Sequence, residues 1–316
     1  MYKRQALLGL LTWTIIEAPD AGWTSTRTLL GFGGALLLLT VFVQLERRAG
    51  HPMLDITLFR DRRFSAAAGA VTVSFFALFG FIFLITQYFQ FVRDETALGT
   101  GVKILPVAAA IAVSSILGGL LAPRIGVKLV VATGMTLLGA AFVWISTMPI
   151  DAAYASEIVP QMLLMGTGLG FISTPATESI MQVLPPARAG VGSAVNDATR
   201  ELGGTLGVAV VGSLFSSLYG ARLVELLDGR LPATQLRAAE ESVGVADAIG
   251  ARVPGVTAAV EDAFMSGLGT ASLVIGLLCL AGAVFSAVAL PGNRFVPPAD
   301  GPTRPRTSSP TSSLTG

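Results

Sequence analysis

Eight apolar runs dominate the chain and leave it one kind of fold. They cover residues 5–17, 28–45, 64–91, 102–122, 128–148, 158–183, 191–218 and 267–290. About 20 apolar residues in a helix cross a ~30 Å hydrocarbon core. A backbone inside that core must satisfy its own hydrogen bonds, which a helix does within one segment. The expected fold class is an all-α membrane protein with seven full spans and one partial span, 5–17. Composition agrees: of 316 residues, 52% are hydrophobic and 13% charged, where a soluble domain carries about a quarter charged residues.

Several function classes lose support at once. The net charge of +1 gives no electrostatic footprint for nucleic acid. The one cysteine, Cys279, sits in an apolar run and reads as a packed small residue. The one histidine, His51, has no neighbours at metal-ligand spacing. No zinc-protease, phosphate-loop or dinucleotide motif is present. The expectation is no cofactor, no metal and no enzyme. The N-terminal MYKRQALLGLLTWTIIEAP has a basic start and an apolar run, but no small-residue cleavage site follows. It reads as a short or truncated span. Trp13, Trp23 and Trp144 fall near span ends, where an interfacial aromatic belt accounts for them.

Orientation follows from Lys and Arg in short loops. The loop 46–63 holds Arg47, Arg48, Arg60, Arg62 and Arg63. Counting spans from it, the same side receives Lys3, Arg4, Arg124, Lys128, Arg188 and the tail arginines. The opposite short loops are acidic or sparse: Asp20, Asp94 with Glu95 and Arg93, Asp151 and Glu157. The basic side is expected in the cytoplasm, with the Pro/Ser/Thr-rich tail 291–316 disordered there. The segment 219–266 is then external, with helical pieces at Ala221–Asp228 and Gln235–Ser242 that could cap the outer mouth. Gly166/Gly170 and Gly203/Gly207 are small-xxx-small faces, expected to serve helix packing. Pro106, Pro160 and Pro175 fall within spans or at their ends, as in bent helices around a transporter site.

The run from residue 191 contains an anomaly. It reads as a span, yet carries Asn196, Asp197, Arg200 and Glu201. A charge at the bilayer centre costs roughly 2.5–3.5 kcal/mol by insertion scales, so these residues are expected to face a bundle interior or a wet pathway. Asp197 and Glu201, four apart, share a helix face, roughly 7–14 Å from the cytoplasmic end. Two readings stay open. The carboxylates load and release a proton in competition with a lipophilic cation, or Arg200 neutralises one of them in a structural ion cluster. Glu178, after Pro175, lies toward the cytoplasmic end of its span. It lines the pathway or pairs with Arg188 or Arg200 as an inner gate. Gln87, Gln90 and Phe83, with Tyr88 and the neighbouring rings, are candidates for a substrate cavity, where aromatic faces suit cations.

Five stretches carry a family resemblance: EAPDAGWTS, QLERRAGHPMLDITLFRDRRF, ITQYFQFV, LAPRIGVK and GTGLGFISTPATESIMQVLPPARAGVGSAVNDATRELGGTLGVAVVGS. In this order they resemble the EmrB/QacA-type multidrug–proton antiporters of the major facilitator superfamily, over about residues 9–290. That family has fourteen spans: an N-terminal bundle of six, two linkers and a C-terminal bundle of six. The resemblance implies that 1–45 are the linker spans, the first truncated, that 46–63 is a cytoplasmic loop, and that 64–290 form the C-terminal six-helix bundle. The N-terminal bundle has no counterpart here. LAPRIGVK, with Arg124, Gly126 and Lys128, resembles the C-half echo of the family's loop motif, but has Pro123 where an acidic residue usually stands.

The function so implied is a part, in truncated form, of a proton-coupled efflux transporter exporting hydrophobic, often cationic, compounds from the bacterial inner membrane by alternating access. Its partners would be the bilayer, protons, a small substrate and an N-terminal half supplied by another chain. The alternative is a non-transporting membrane scaffold or the inert product of a truncated gene.

Overall fold

A computed structural model describes residues 2–48, 56–185 and 189–290 of the chain. Residues 49–55 of the basic loop with His51, Arg188, and the tail 291–316 lie outside the described residues. All regular structure among the described residues is helical. Seven helices are long and apolar enough to cross a membrane, by length and composition.

Helices α1 (Tyr2–Ala21) and α2 (Thr26–Arg48) form a hairpin. Gly22, at φ 87°, makes the turn, and the Thr28 hydroxyl donates to the Gly22 carbonyl at 2.9 Å. The hairpin leans on the rest of the molecule through α1. The Ser213 hydroxyl donates to the Ile15 carbonyl, and Trp23 Nε1 donates to Ser217 Oγ at 3.1 Å. Arg27 sits 5.1 Å over the Trp13 ring and 3.1 Å from Glu17. So Trp13 and Trp23 have specific partners besides any interfacial role.

The bundle proper begins at α3 (Arg62–Gln87), continued by a π turn at Tyr88–Val92. Asp61 caps α3, accepting from the Arg63 and Phe64 amides at 2.8 and 3.0 Å, which satisfies two of the four orphan donors of a helix start. Then come α4 (Ala97–Ile125) and α5 (Val127–Ile145), joined by the single residue Gly126. Its φ of 93° and ψ of 142° are open only to glycine without strain. A second π turn, Tyr154–Ile158, leads into α6 (Val159–Gln182), followed by α7 (Ala189–Leu227), the short α8 (Ala233–Glu241) and α9 (Val243–Gly250), and α10 (Val256–Ala289). Pro106 and Pro175 lie inside continuous helices, and Pro160 falls in the first turn of α6.

Two boundaries differ from the sequence reading. The predicted loop 219–266 is mostly helix: α7 runs on to Leu227 and α10 starts at Val256. Hydropathy marks only the part of a helix that meets lipid, and no breaker interrupts α7 before Gly229 and Pro232. The expected helical pieces in this segment are the end of α7 and α8. Together α8 and α9 pack across the ends of α7, α10 and the first π turn.

Packing pairs α4 with α6, α3 with α7, and α5 with both α6 and α10. Small residues set these distances. A Cβ at Gly203 or Gly207 would collide with the carbonyl oxygens of Thr72 and Phe76. One at Gly166 would lie 2.6 Å from the Val107 carbonyl, and one at Gly170 2.7 Å from the Ser115 amide. Both GxxxG faces are therefore helix seams, α7 on α3 and α6 on α4. Large side chains fill the remaining space: Phe64, Met135, Phe142, Met162, Met165 and Phe264 are fully buried.

At the end that carries α8 and α9, the two π turns flank one lysine. Lys103 pairs with Glu95 and lies 5.6 Å over Phe89 and 5.5 Å over Tyr154. Tyr154 donates to the Lys103 carbonyl at 3.0 Å, and Tyr88 to the Ile150 carbonyl at 3.1 Å. These contacts tie the ends of α3, α4 and α6 together.

Candidate functional site

A cleft of about 460 Å³ opens among α3, α4, α6 and α7. Its apolar wall is Phe75, Leu78, Ile111 and Leu169. Its polar wall is Ser115, Ser173, Thr174, Thr177, Glu178 and Arg200. The glycine seams create this arrangement. Gly203 and Gly207 press α7 onto α3, and Gly166 and Gly170 press α6 onto α4. The two helix pairs meet along their inner edges, α3 packing on α6, and the cleft lies between them.

Arg200 and Glu178 are the charged residues on its wall. Arg200 has the better-defined partners. It is half-buried and lies roughly 17 Å along α7 from Ala189. One Nη donates to Thr177 Oγ1 at 3.3 Å, and the guanidinium centre lies 5.1 Å from the Phe75 ring centroid. Thr177 donates in turn to Asn196 Oδ1 at 3.2 Å. Asn196 is buried, one turn before Arg200 on the same helix face. Arg200 Nε is buried with no hydrogen-bond partner. Among the described residues no carboxylate oxygen lies within 4.0 Å of this guanidinium.

The sequence-predicted residues therefore divide. Arg200 and Glu178 line the cleft, and Asn196 is buried and bonded to the lining residue Thr177. Asp197 and Glu201 are exposed and stand off the cleft wall. The ion cluster that the sequence suggested around Arg200 is not formed, and Glu178 does not pair with it. Phe83 lines a different groove of about 320 Å³, between α3, α7 and α1, with Asp20 and Glu241 at its rim. It packs edge-on against Phe215, at 6.3 Å. Gln87 and Gln90 are half-buried near the α8 end, away from the cleft wall; Gln87 Nε2 is buried without a partner. Arg124 is exposed and Lys128 half-buried on either side of the Gly126 turn.

Sequence reasoning missed Thr177 and the hydroxyls of Ser115, Ser173 and Thr174; Phe75 is one of the rings of its span that the sequence offered for a cavity without singling it out. A signal existed on α6: Ser173, Thr174 and Thr177 sit at i, i+1 and i+4 and give an otherwise apolar helix one hydroxyl face. Phe75 carried no such signal among so many phenylalanines. Among the described residues no group of three or more His, Cys, Asp or Glu could hold a metal ion.

Comparison with known proteins agrees with this architecture. The family model described as Major Facilitator Superfamily matches residues 6–208. Over 227 residues the chain is 36% identical to the multidrug resistance protein Stp of Mycobacterium tuberculosis, covering 71% of this chain and 42% of that protein. It is 29% identical to the multidrug efflux pump LfrA of Mycolicibacterium smegmatis, covering 88% of this chain and 56% of the pump. It is 30% identical to the tetracenomycin C resistance and export protein of Streptomyces glaucescens, covering 89% and 53%. The chain thus spans about half the length of these curated relatives. Its fold resembles the inward-facing, unoccupied crystal structure of a bacterial homologue of the human lysosomal transporter Spinster. The TM-score is 0.51 at 16% identity, covering 85% of this chain and 59% of that one. With the family model matching well over half of the sequence, the chain belongs to the major facilitator superfamily.

Proposed function

We propose that this chain is the C-terminal half of a proton-coupled multidrug efflux transporter of the EmrB/QacA type in the bacterial inner membrane. The observation that carries the reading is the cleft: a charged, hydroxyl-lined hollow among four apolar helices. Charge and hydroxyls are costly at that depth unless they face a wet pathway. The names of the relatives support multidrug export, and their doubled length supports a second bundle across the cleft. In this reading the two bundles rock about the cleft, and inward proton flow drives outward movement of a hydrophobic compound. Asp197 and Glu201, exposed on α7, are the proposed proton carriers, facing the second bundle. The basic α2–α3, α4–α5 and α6–α7 connections lie in the cytoplasm, and α8 and α9 outside.

One bundle supplies one wall of an alternating-access cleft. The chain alone is therefore expected to give no gradient-driven transport. The test uses proteoliposomes with an imposed proton gradient, holding the chain alone or with the N-terminal six-span half of a similar pump. Ethidium movement is expected only in the second preparation. Gradient-driven movement by the chain alone refutes the two-bundle requirement. No movement in either favours the alternative, a non-transporting membrane scaffold.

A further inference from the structure

We propose that the cleft recognises an anionic group, a carboxylate on a hydrophobic compound, and that Arg200 is the residue that selects it. The inference rests on the cleft being the cargo site but names a charge class opposite to the one the sequence suggested. The two carboxylates that pointed to cations stand off the cleft wall. The basic group on its wall is a guanidinium with no carboxylate oxygen within 4.0 Å among the described residues.

Three features argue for a receptor. First, the guanidinium is under-used. Of its five N–H donors, one has a partner, Thr177, and Nε is buried with none. Secondly, it is held in place. Phe75 covers it at 5.1 Å, and Thr177 is itself fixed to buried Asn196. A preorganised fork loses less freedom when it takes a carboxylate. Thirdly, the hollow of about 460 Å³ lies within the range of small-molecule sites, ~300–1,000 Å³. Glu178 is the one carboxylate on the wall, and it lies beyond 4.0 Å from the guanidinium.

Binding, rather than transport, tests this, so that failure of the export reading and failure of the inference remain separable. The whole chain is placed in phosphatidylcholine nanodiscs, and equilibrium dialysis follows three probes of one shape: 1-naphthaleneacetate, its neutral amide and 1-naphthylethylamine. The acid is expected to bind saturably, at least tenfold tighter than amide or amine. Arg200→Gln should cost the acid at least tenfold and the amide much less, so that the preference disappears, and Arg200→Lys should keep part of the preference. Arg200→Gln also gives up the Thr177 bond and the Phe75 contact, so its unfolding midpoint is used only to confirm that the variant is folded. Equal binding of the three probes, equal loss of acid and amide in Arg200→Gln, or tighter amine binding overturns the proposal. So does a lack of saturable acid binding, which would leave a carboxylate on an opposing helix as the partner. Repeating the measurement with phosphatidylglycerol separates the remaining source. If that lipid abolishes acid binding even at high salt, where repulsion of the probe from the surface is screened, the anion is an anionic lipid headgroup and the cargo assignment falls.

Discussion

A helix seam in which glycine faces glycine offers the sharpest physical test. Gly134 on α5 and Gly168 on α6 face each other. A Cβ on Gly134 would lie 2.7 Å from the Gly168 carbonyl oxygen, and one on Gly168 would lie 2.6 Å from the Gly134 carbonyl oxygen. The obstacle is backbone in both directions, so no side chain can rotate away. Ordinary contact begins at 3.4 Å, so either alanine must push the helices apart by about 0.7–0.8 Å at that point. A gap of 0.5–1 Å forfeits roughly a quarter to a half of each van der Waals contact it opens. Overpacking of this kind costs about 1–3 kcal/mol, of which the better helix propensity of alanine returns up to ~1 kcal/mol. Each single substitution, Gly134→Ala or Gly168→Ala, should destabilise by about 1–2 kcal/mol. Once one methyl has separated the helices, the second meets less resistance. The double variant should therefore fall short of additivity by at least ~0.5 kcal/mol. Unfolding free energies of the four proteins in mixed detergent micelles measure this. Additive losses, or single losses below ~0.5 kcal/mol, refute the close-contact argument.

Other outcomes follow from the same geometry. Gly126→Ala puts a side chain at φ 93° and should cost about 1–3 kcal/mol, read as a lower unfolding midpoint; an unchanged midpoint would mean that the turn relaxes freely. Lys103→Met removes the Glu95 pair and two ring contacts of a side chain that is 30% exposed. The expected loss is about 1–2 kcal/mol, with Glu95→Gln losing less because the rings remain. Asp61→Ala removes the α3 cap and should cost ~0.5–2 kcal/mol, whereas Asp61→Asn should retain most of it. In a full-length, two-bundle transporter, Asp197→Asn with Glu201→Gln should abolish proton-driven export; surviving export would remove both from the coupling path.

Much of the fold was legible in order and number. The run at 64–91 became α3 with its π turn, because hydropathy over twenty or more residues has few other solutions. Gly203 and Gly207 announced a helix seam because a missing side chain matters only where backbones approach. The ends of α7 and α10 were misjudged, because lipid contact ceases before helical hydrogen bonding does. The site was legible only as a cluster. Asn196, Asp197, Arg200 and Glu201 are neighbours in sequence, and successive positions on a helix point about 100° apart. The sequence therefore holds two pairs of equal standing, Asn196 with Arg200 and Asp197 with Glu201, each one turn apart.

By itself the sequence determined that the chain is a set of membrane helices, which segments they are, where glycine permits them to touch, and that one helix carries charge. Only the tertiary structure decided which of the two pairs turns inward. The seams of α7 on α3 and α6 on α4 rotate Arg200 toward Thr177 and Phe75 and leave Asp197 and Glu201 outside. The reason is that periodicity defines the faces of a helix, while the neighbours packed against it choose which face is buried.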